Sequence, residues 1–67
     1  MYISYKPFFK TIKKKKLSQY DLIHNFGLSK GTLDSLRNNK NMRLSTIVDL
    51  CEMLDCKMQD IVTIEKQ

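Results

Sequence analysis

Gly27 separates two short stretches whose apolar residues recur at helical spacing, and no other feature restricts the chain as much. Leu22, Ile23 and Phe26 fall at i, i+1 and i+4, one face of a helix over about 18–26. Ser18 is placed to cap it, because its hydroxyl can accept from the orphan amides of the first turn. A glycine just past the last apolar residue supplies the positive φ at which helices stop. Leu28 closes the turn and Ser29 is a second N-cap. Leu33 and Leu36 form the inner face of a second helix, about 29–38. Lys30, Gly31, Asp34, Ser35, Arg37 and Asn38 are left outside. Of these, Gly31, Ser35 and Asn38 run at i, i+4 and i+7 as one stripe.

The rest of the chain reads as more helix. Pro7 suits the first turn of a helix over about 7–16, with Phe8, Phe9 and Ile12 on its buried face. Lys10 and Lys13 to Lys16 crowd its carboxyl end, where cations favour the helix dipole. Residues 39–43 are a polar loop with Met42 turned inward. A helix over about 44–55 carries Leu44, Ile47, Leu50, Cys51 and Leu54 at core spacing, with Arg43 where a capping serine would be expected. A last turn near 58–62 is expected to bury Met58 and Ile61. Val62-Thr63-Ile64 alternates like a strand, and Tyr2-Ile3-Ser4-Tyr5 is its natural partner, within the chain or from a second subunit. The expected fold class is all-α: one domain, residues 1–67, of four to five helices, whose tails can pair as two short strands.

Sixty-seven residues make a thin core, since a chain this size buries only about 60% of its unfolded surface. The net charge of +5 is unevenly spread. Residues 1–43 hold ten Lys/Arg and two Asp, a net of +8, whereas residues 44–67 hold two Lys and five acids, a net of −3. The basic part contains the glycine-hinged pair and would attract polyanions. The acidic part suits a partner subunit. Cys51 and Cys56, with a single histidine, are too few for a structural zinc and read as small apolar groups of a reducing compartment. No signal-peptide pattern or bilayer-length apolar run is present, so the expected location is the cytoplasm, away from membranes. There is no phosphate-binding glycine loop, metal-ligand cluster or Ser/His/Asp arrangement. Neither catalysis, a cofactor nor a small-molecule ligand is therefore expected.

The residues from Ser18 to Lys40 resemble the phage repressor and Cro-like helix-turn-helix family of bacterial transcriptional regulators. Ser18-Gln19 stands where that family has Thr/Ser-Gln opening the first helix of the motif, here 18–38. Gly27-Leu28-Ser29 matches its Gly-Val-Ser turn, and Thr32-Leu33 and Leu36 match its core positions. Asn38-Asn39-Lys40 stands where the family often has Asn-Gly-Lys; asparagine also tolerates the left-handed conformation. Tyr5-Lys6-Pro7 and Leu50-Cys51-Glu52-Met53-Leu54-Asp55-Cys56 are similar to a small Gram-positive subgroup. Gly31 departs from the family, which often has a base-reading side chain there.

What the resemblance implies is a sequence-specific regulator of double-stranded DNA, with helix 29–38 in the major groove. Base readout would fall to Lys30, Gly31, Thr32 and Ser35. Lys30 can donate to guanine O6/N7 or to a phosphate. Ser35 can touch a base edge or a thymine methyl, Thr32 can help through its hydroxyl or stay near the core, and Gly31 allows close approach. Ser18, Gln19, Arg37, Asn38, Lys40 and Arg43 would hold phosphates. One such helix reads too few base pairs to select a site, so a homodimer through the final helix and tail is expected, with Met58, Ile61, Val62 and Ile64 at the contact. The alternative is a protein-interaction module of the same fold, such as an antitoxin or anti-regulator.

Overall fold

The computed structural model describes residues 1–66; Gln67, the last residue of the expected domain, lies outside them. Among the described residues the order is β1 (Tyr2–Ser4), α1 (Lys6–Lys14), α2 (Gln19–Phe26), α3 (Lys30–Arg37), α4 (Leu44–Leu54), a 3-10 turn (Met58–Asp60) and β2 (Thr63–Glu65). The expected helices are present, with ends displaced by at most two residues. The tails do pair, and they pair within the chain. β1 and β2 run antiparallel with Tyr2 opposite Glu65, Ile3 opposite Ile64 and Ser4 opposite Thr63.

Each α-helix is followed by one residue in the left-handed conformation, and only one of the four is glycine. Lys16 follows α1 at φ 59°, Gly27 follows α2 at 73°, Asn39 follows α3 at 53° and Asp55 follows α4 at 52°. The next amide then folds back on the helix. Leu17 N–H reaches the Ile12 carbonyl at 2.8 Å, Leu28 reaches Leu22 at 3.0 Å, Lys40 reaches Ser35 at 2.9 Å and Cys56 reaches Cys51 at 3.0 Å. These bonds satisfy carbonyls that the helix ends leave without partners, and they reverse the chain in few residues.

The starts of the two motif helices are closed by serine. Ser29 Oγ accepts from Thr32 N–H at 3.1 Å. Ser18 forms a reciprocal box: its Oγ accepts from Asp21 N–H at 3.1 Å, while Asp21 Oδ2 accepts from Ser18 N–H at 2.9 Å. The Ser18 backbone N–H, then its hydroxyl, hold the Asp21 carboxyl below its usual range. As expected, Arg43 gives α4 no side-chain cap.

One cluster forms the core: Tyr5, Phe8, Ile12, Leu22, Leu33, Leu36, Ile47, Leu50, Leu54 and Ile61. Leu17, Met42, Met53, Cys51 and Cys56 pack against it half-buried, the two cysteines as free thiols. Burial, above all, pushes the Cys56 thiol up. Thr11 Oγ1 ties α1 to the 3-10 turn by donating to the Asp60 carbonyl at 2.7 Å. Three expectations need correction. Leu44, expected in the core, is 69% exposed, because α4 turns its first residue past the edge of the core. Met58 is 45% exposed while Ile61 is fully buried, because the short 3-10 turn can aim only one of them inward. Phe26 also stays largely exposed at the end of α2.

Lysine is a poor occupant of the left-handed region, where a Cβ adds about 1–2 kcal/mol of strain. Lys16→Gly is therefore expected to stabilise the fold by about 0.5–1 kcal/mol after glycine's own entropy is counted, seen as a higher melting temperature; a lower one would contradict this account of the turn. The Asp21 contribution has a defined pH window. Its folded pKa lies below the unfolded value of about 3.9, so the stabilisation is fully present above that value and is lost as pH falls through the lower, folded one. Asp21→Ala is expected to melt earlier than the parent at pH 7, and the gap should close in acid.

Candidate functional site

Ser29 at the head of α3 and Arg43 at the head of α4 bracket a shallow cleft. Its lining includes Ser29, Gly31, Thr32, Ser35, Arg43 and Thr46. Three of the four residues expected to read bases thus share one concavity with Arg43; Lys30 stands exposed at the first turn of α3, outside it. The hydroxyls are held locally. Thr32 Oγ1 and Ser29 Oγ lie 2.8 Å apart and share a hydrogen bond. Ser35 Oγ donates to the Gly31 carbonyl at 3.1 Å. Gly31 is exposed, has ordinary helical geometry, and a Cβ built on it would meet nothing within 4 Å. No packing inside the chain therefore requires glycine there, although glycine weakens a helix.

Polar contacts gather around the end of α3. Gln19, at the first turn of α2, accepts through Oε1 from Arg37 Nε at 2.9 Å and also from Arg37 Nη2. That joins the start of α2 to the end of α3 and leaves three of the five guanidinium N–H donors and the Gln19 amide free for another acceptor. Within α3, Asp34 organises two expected phosphate residues that follow the helix. Asn38 Nδ2 donates to Asp34 Oδ1 at 3.0 Å and to the Asp34 carbonyl at 2.9 Å. Lys40 Nζ lies 3.2 Å from Asp34 Oδ2, the one ion pair among the described residues. Ser18 is differently placed. Its hydroxyl donates to Asp21 Oδ2 at 3.0 Å, so a phosphate contact by that hydroxyl requires giving up the bond.

The backbone after α3 is anchored from far away in sequence. Tyr5, at the corner between β1 and α1, is 1% exposed. Its N–H donates to Asn39 Oδ1 at 3.0 Å and its hydroxyl donates to the Lys40 carbonyl at 2.6 Å. Burial pushes the phenol pKa up from its ordinary value.

The sequence reading missed Asp34, Tyr5, the Asn39 side chain and Thr46 as parts of this surface. Asp34 and Asn38 stand at i and i+4, a spacing from which their contact could have been read. Tyr5 and Asn39 lie 34 residues apart and carry no local signal. Tyr20 stacks on His24 on the outer side of α2, with ring centroids 3.9 Å apart. The lysine run is exposed, and Lys14 and Lys15 line a cleft together with Lys57, Asp55 and Asp60. Among the described residues no three His, Cys, Asp or Glu side chains gather to hold a metal ion, and no helix is long and apolar enough to cross a membrane.

Comparison with known proteins bears on the family and the fold. Residues 10–67 match the sequence model of the Cro/C1-type HTH DNA-binding domain. The fold is similar to that in the crystal structure of the transcriptional regulator VanUg, form II. The TM-score is 0.86 at 27% identity, over 98% of this chain and 88% of that one. No curated protein matches the chain.

Proposed function

The chain belongs to the Cro/C1-type helix-turn-helix DNA-binding family, and from that premise we propose that it regulates transcription as a homodimer, with α3 of each copy laid in the major groove. DNA-binding regulation follows from the family and from the likeness to VanUg. The observation that carries the finer reading is Gly31: an exposed helical glycine that no packing among the described residues requires, lining a cleft together with Arg43. A bare backbone there lets a duplex approach α3 closely, while Lys30, Thr32 and Ser35 reach base edges. Gln19, Arg37, Asn38, Lys40 and Arg43 hold phosphates on the two sides of the groove, and Ser18 joins them if it releases Asp21.

The surface that supports pairing differs from the one first expected. Ile61 belongs to the monomer core and is not available. Leu44, Val48, Met58 and Ile64 are exposed instead. Leu44, Met58 and Ile64 rim a groove of about 580 Å³, lined by Ile3, Met42 and Val62 among others and by no charged side chain. A twofold contact sets residues near the axis against their own copies, so a charge there would face a like charge. An uncharged lining, in a chain 28% charged, is what such a contact needs. Molecular extents of 35 × 23 × 18 Å are compatible with one DNA turn, about 34 Å, between equivalent points of two adjoining copies.

Gly31→Ala separates stability from binding. It is expected to stabilise the free protein by up to about 1 kcal/mol and to weaken binding to sites selected from a random duplex pool. Equal or tighter binding would remove α3 from the groove. Lys40→Ala is expected to weaken all sequences alike and to lower the salt slope by about one unit; an unchanged slope would take Lys40 out of the interface. No binding to any duplex at low salt would favour a protein-interaction module. For assembly, Ile64→Lys is expected to stay folded and to sediment as a monomer where the parent is a dimer. The same species for both across micromolar concentrations would exclude this interface.

A further inference from the structure

Asn38 and Lys40 leave α3 on a short exposed segment, and such segments are ordinarily mobile. Two side chains able to reach a phosphate bind it well only if their backbone is already in place, because ordering them on contact weakens association. Here that backbone is held from both sides. Lys40 N–H is tied to the Ser35 carbonyl at 2.9 Å, within the end of α3. From the other side, the Tyr5 hydroxyl donates to the Lys40 carbonyl at 2.6 Å, and the Tyr5 N–H donates to Asn39 Oδ1 at 3.0 Å. Tyr5 cannot easily shift. Its ring is in the core, and its carbonyl accepts from Phe8 N–H at 3.0 Å in the first turn of α1.

Asparagine at position 39 has a specific consequence. Asn39 sits at φ 53°, which glycine would adopt with less strain. Glycine, however, has no acceptor for the Tyr5 N–H, a part-buried donor that would be left without a partner. Asn39 supplies both the left-handed turn and the acceptor.

We propose that Asn39 and Tyr5 are positioning residues for DNA binding: they hold the backbone of the Asn38–Lys40 segment in its phosphate-binding geometry and act through Lys40. This rests on the reading that Lys40 meets a phosphate. The tether joins the amino-terminal corner of the fold to the segment that follows the recognition helix.

The test is a double-mutant cycle on the full chain, with affinity for a duplex of random sequence measured across a range of salt concentrations. Glycine is at ease in the left-handed region, so Asn39→Gly is expected to fold, to exchange its Tyr5 amide proton faster than the parent, and to bind DNA about three- to tenfold more weakly. In a Lys40→Ala background the same change should cost clearly less, since Lys40 is gone and only Asn38 is left to be positioned. Tyr5→Phe keeps the buried ring, loses the bond to the Lys40 carbonyl, and should give the same pattern. Equal losses in both backgrounds, which a merely structural role would produce, overturn the positioning role and leave the DNA reading intact. Unchanged affinity after Asn39→Gly overturns it too. A parent chain with no affinity for duplex DNA at low salt overturns both.

Discussion

Ten buried side chains, drawn from every α-helix and from both ends of the chain, form a single core, and the other features rest on it. Leu22 comes from α2, and Leu33 and Leu36 from α3, so the hinge between those helices is set by packing as well as by Gly27. Phe8 and Ile12 bring in α1, Ile47, Leu50 and Leu54 bring in α4, and Ile61 secures the 3-10 turn before β2. A domain this small has no second core to fall back on. Truncating a buried leucine costs about 2–5 kcal/mol, comparable with the whole stability of a chain this short at about 0.05–0.15 kcal/mol per residue. The angle at which α3 is presented is therefore inseparable from overall folding.

Polar bonds refine what the core sets. Gln19 and Arg37 link the start of α2 to the end of α3. Just beyond Arg37, Asp34 gathers Asn38 and Lys40, and Tyr5 fastens the intervening backbone. Both partners of the Asp34–Lys40 pair are more than half exposed. Such a pair contributes little to stability, so its importance lies in where it keeps a cation. The acid on an otherwise basic surface thus acts as an organiser.

How much of this was legible in the sequence depended on how local the cause was. The two serine caps, the buried positions of Leu22, Leu33 and Leu36, and the left-handed turn at Gly27 follow from a few neighbouring residues and were read correctly, whereas Phe26 was placed with Leu22 and lies exposed. The left-handed turns at Lys16 and Asp55 were missed, because neither residue announces that conformation. They adopt it because Leu17 and the chain after Asp55 must turn back onto the core.

By itself, the sequence determined the number and kind of helices, the hinge, and which residues bear donors suited to DNA, because periodicity and capping act over three or four residues. Only the tertiary structure decided that Leu44 and Met58 face outward while Ile61 faces in, that the tails pair within one chain and not across two, and that Tyr5 grips Asn39 and Lys40. Each of those outcomes depends on which distant surface a side chain meets once the helices have packed, and spacing along the chain does not contain that information.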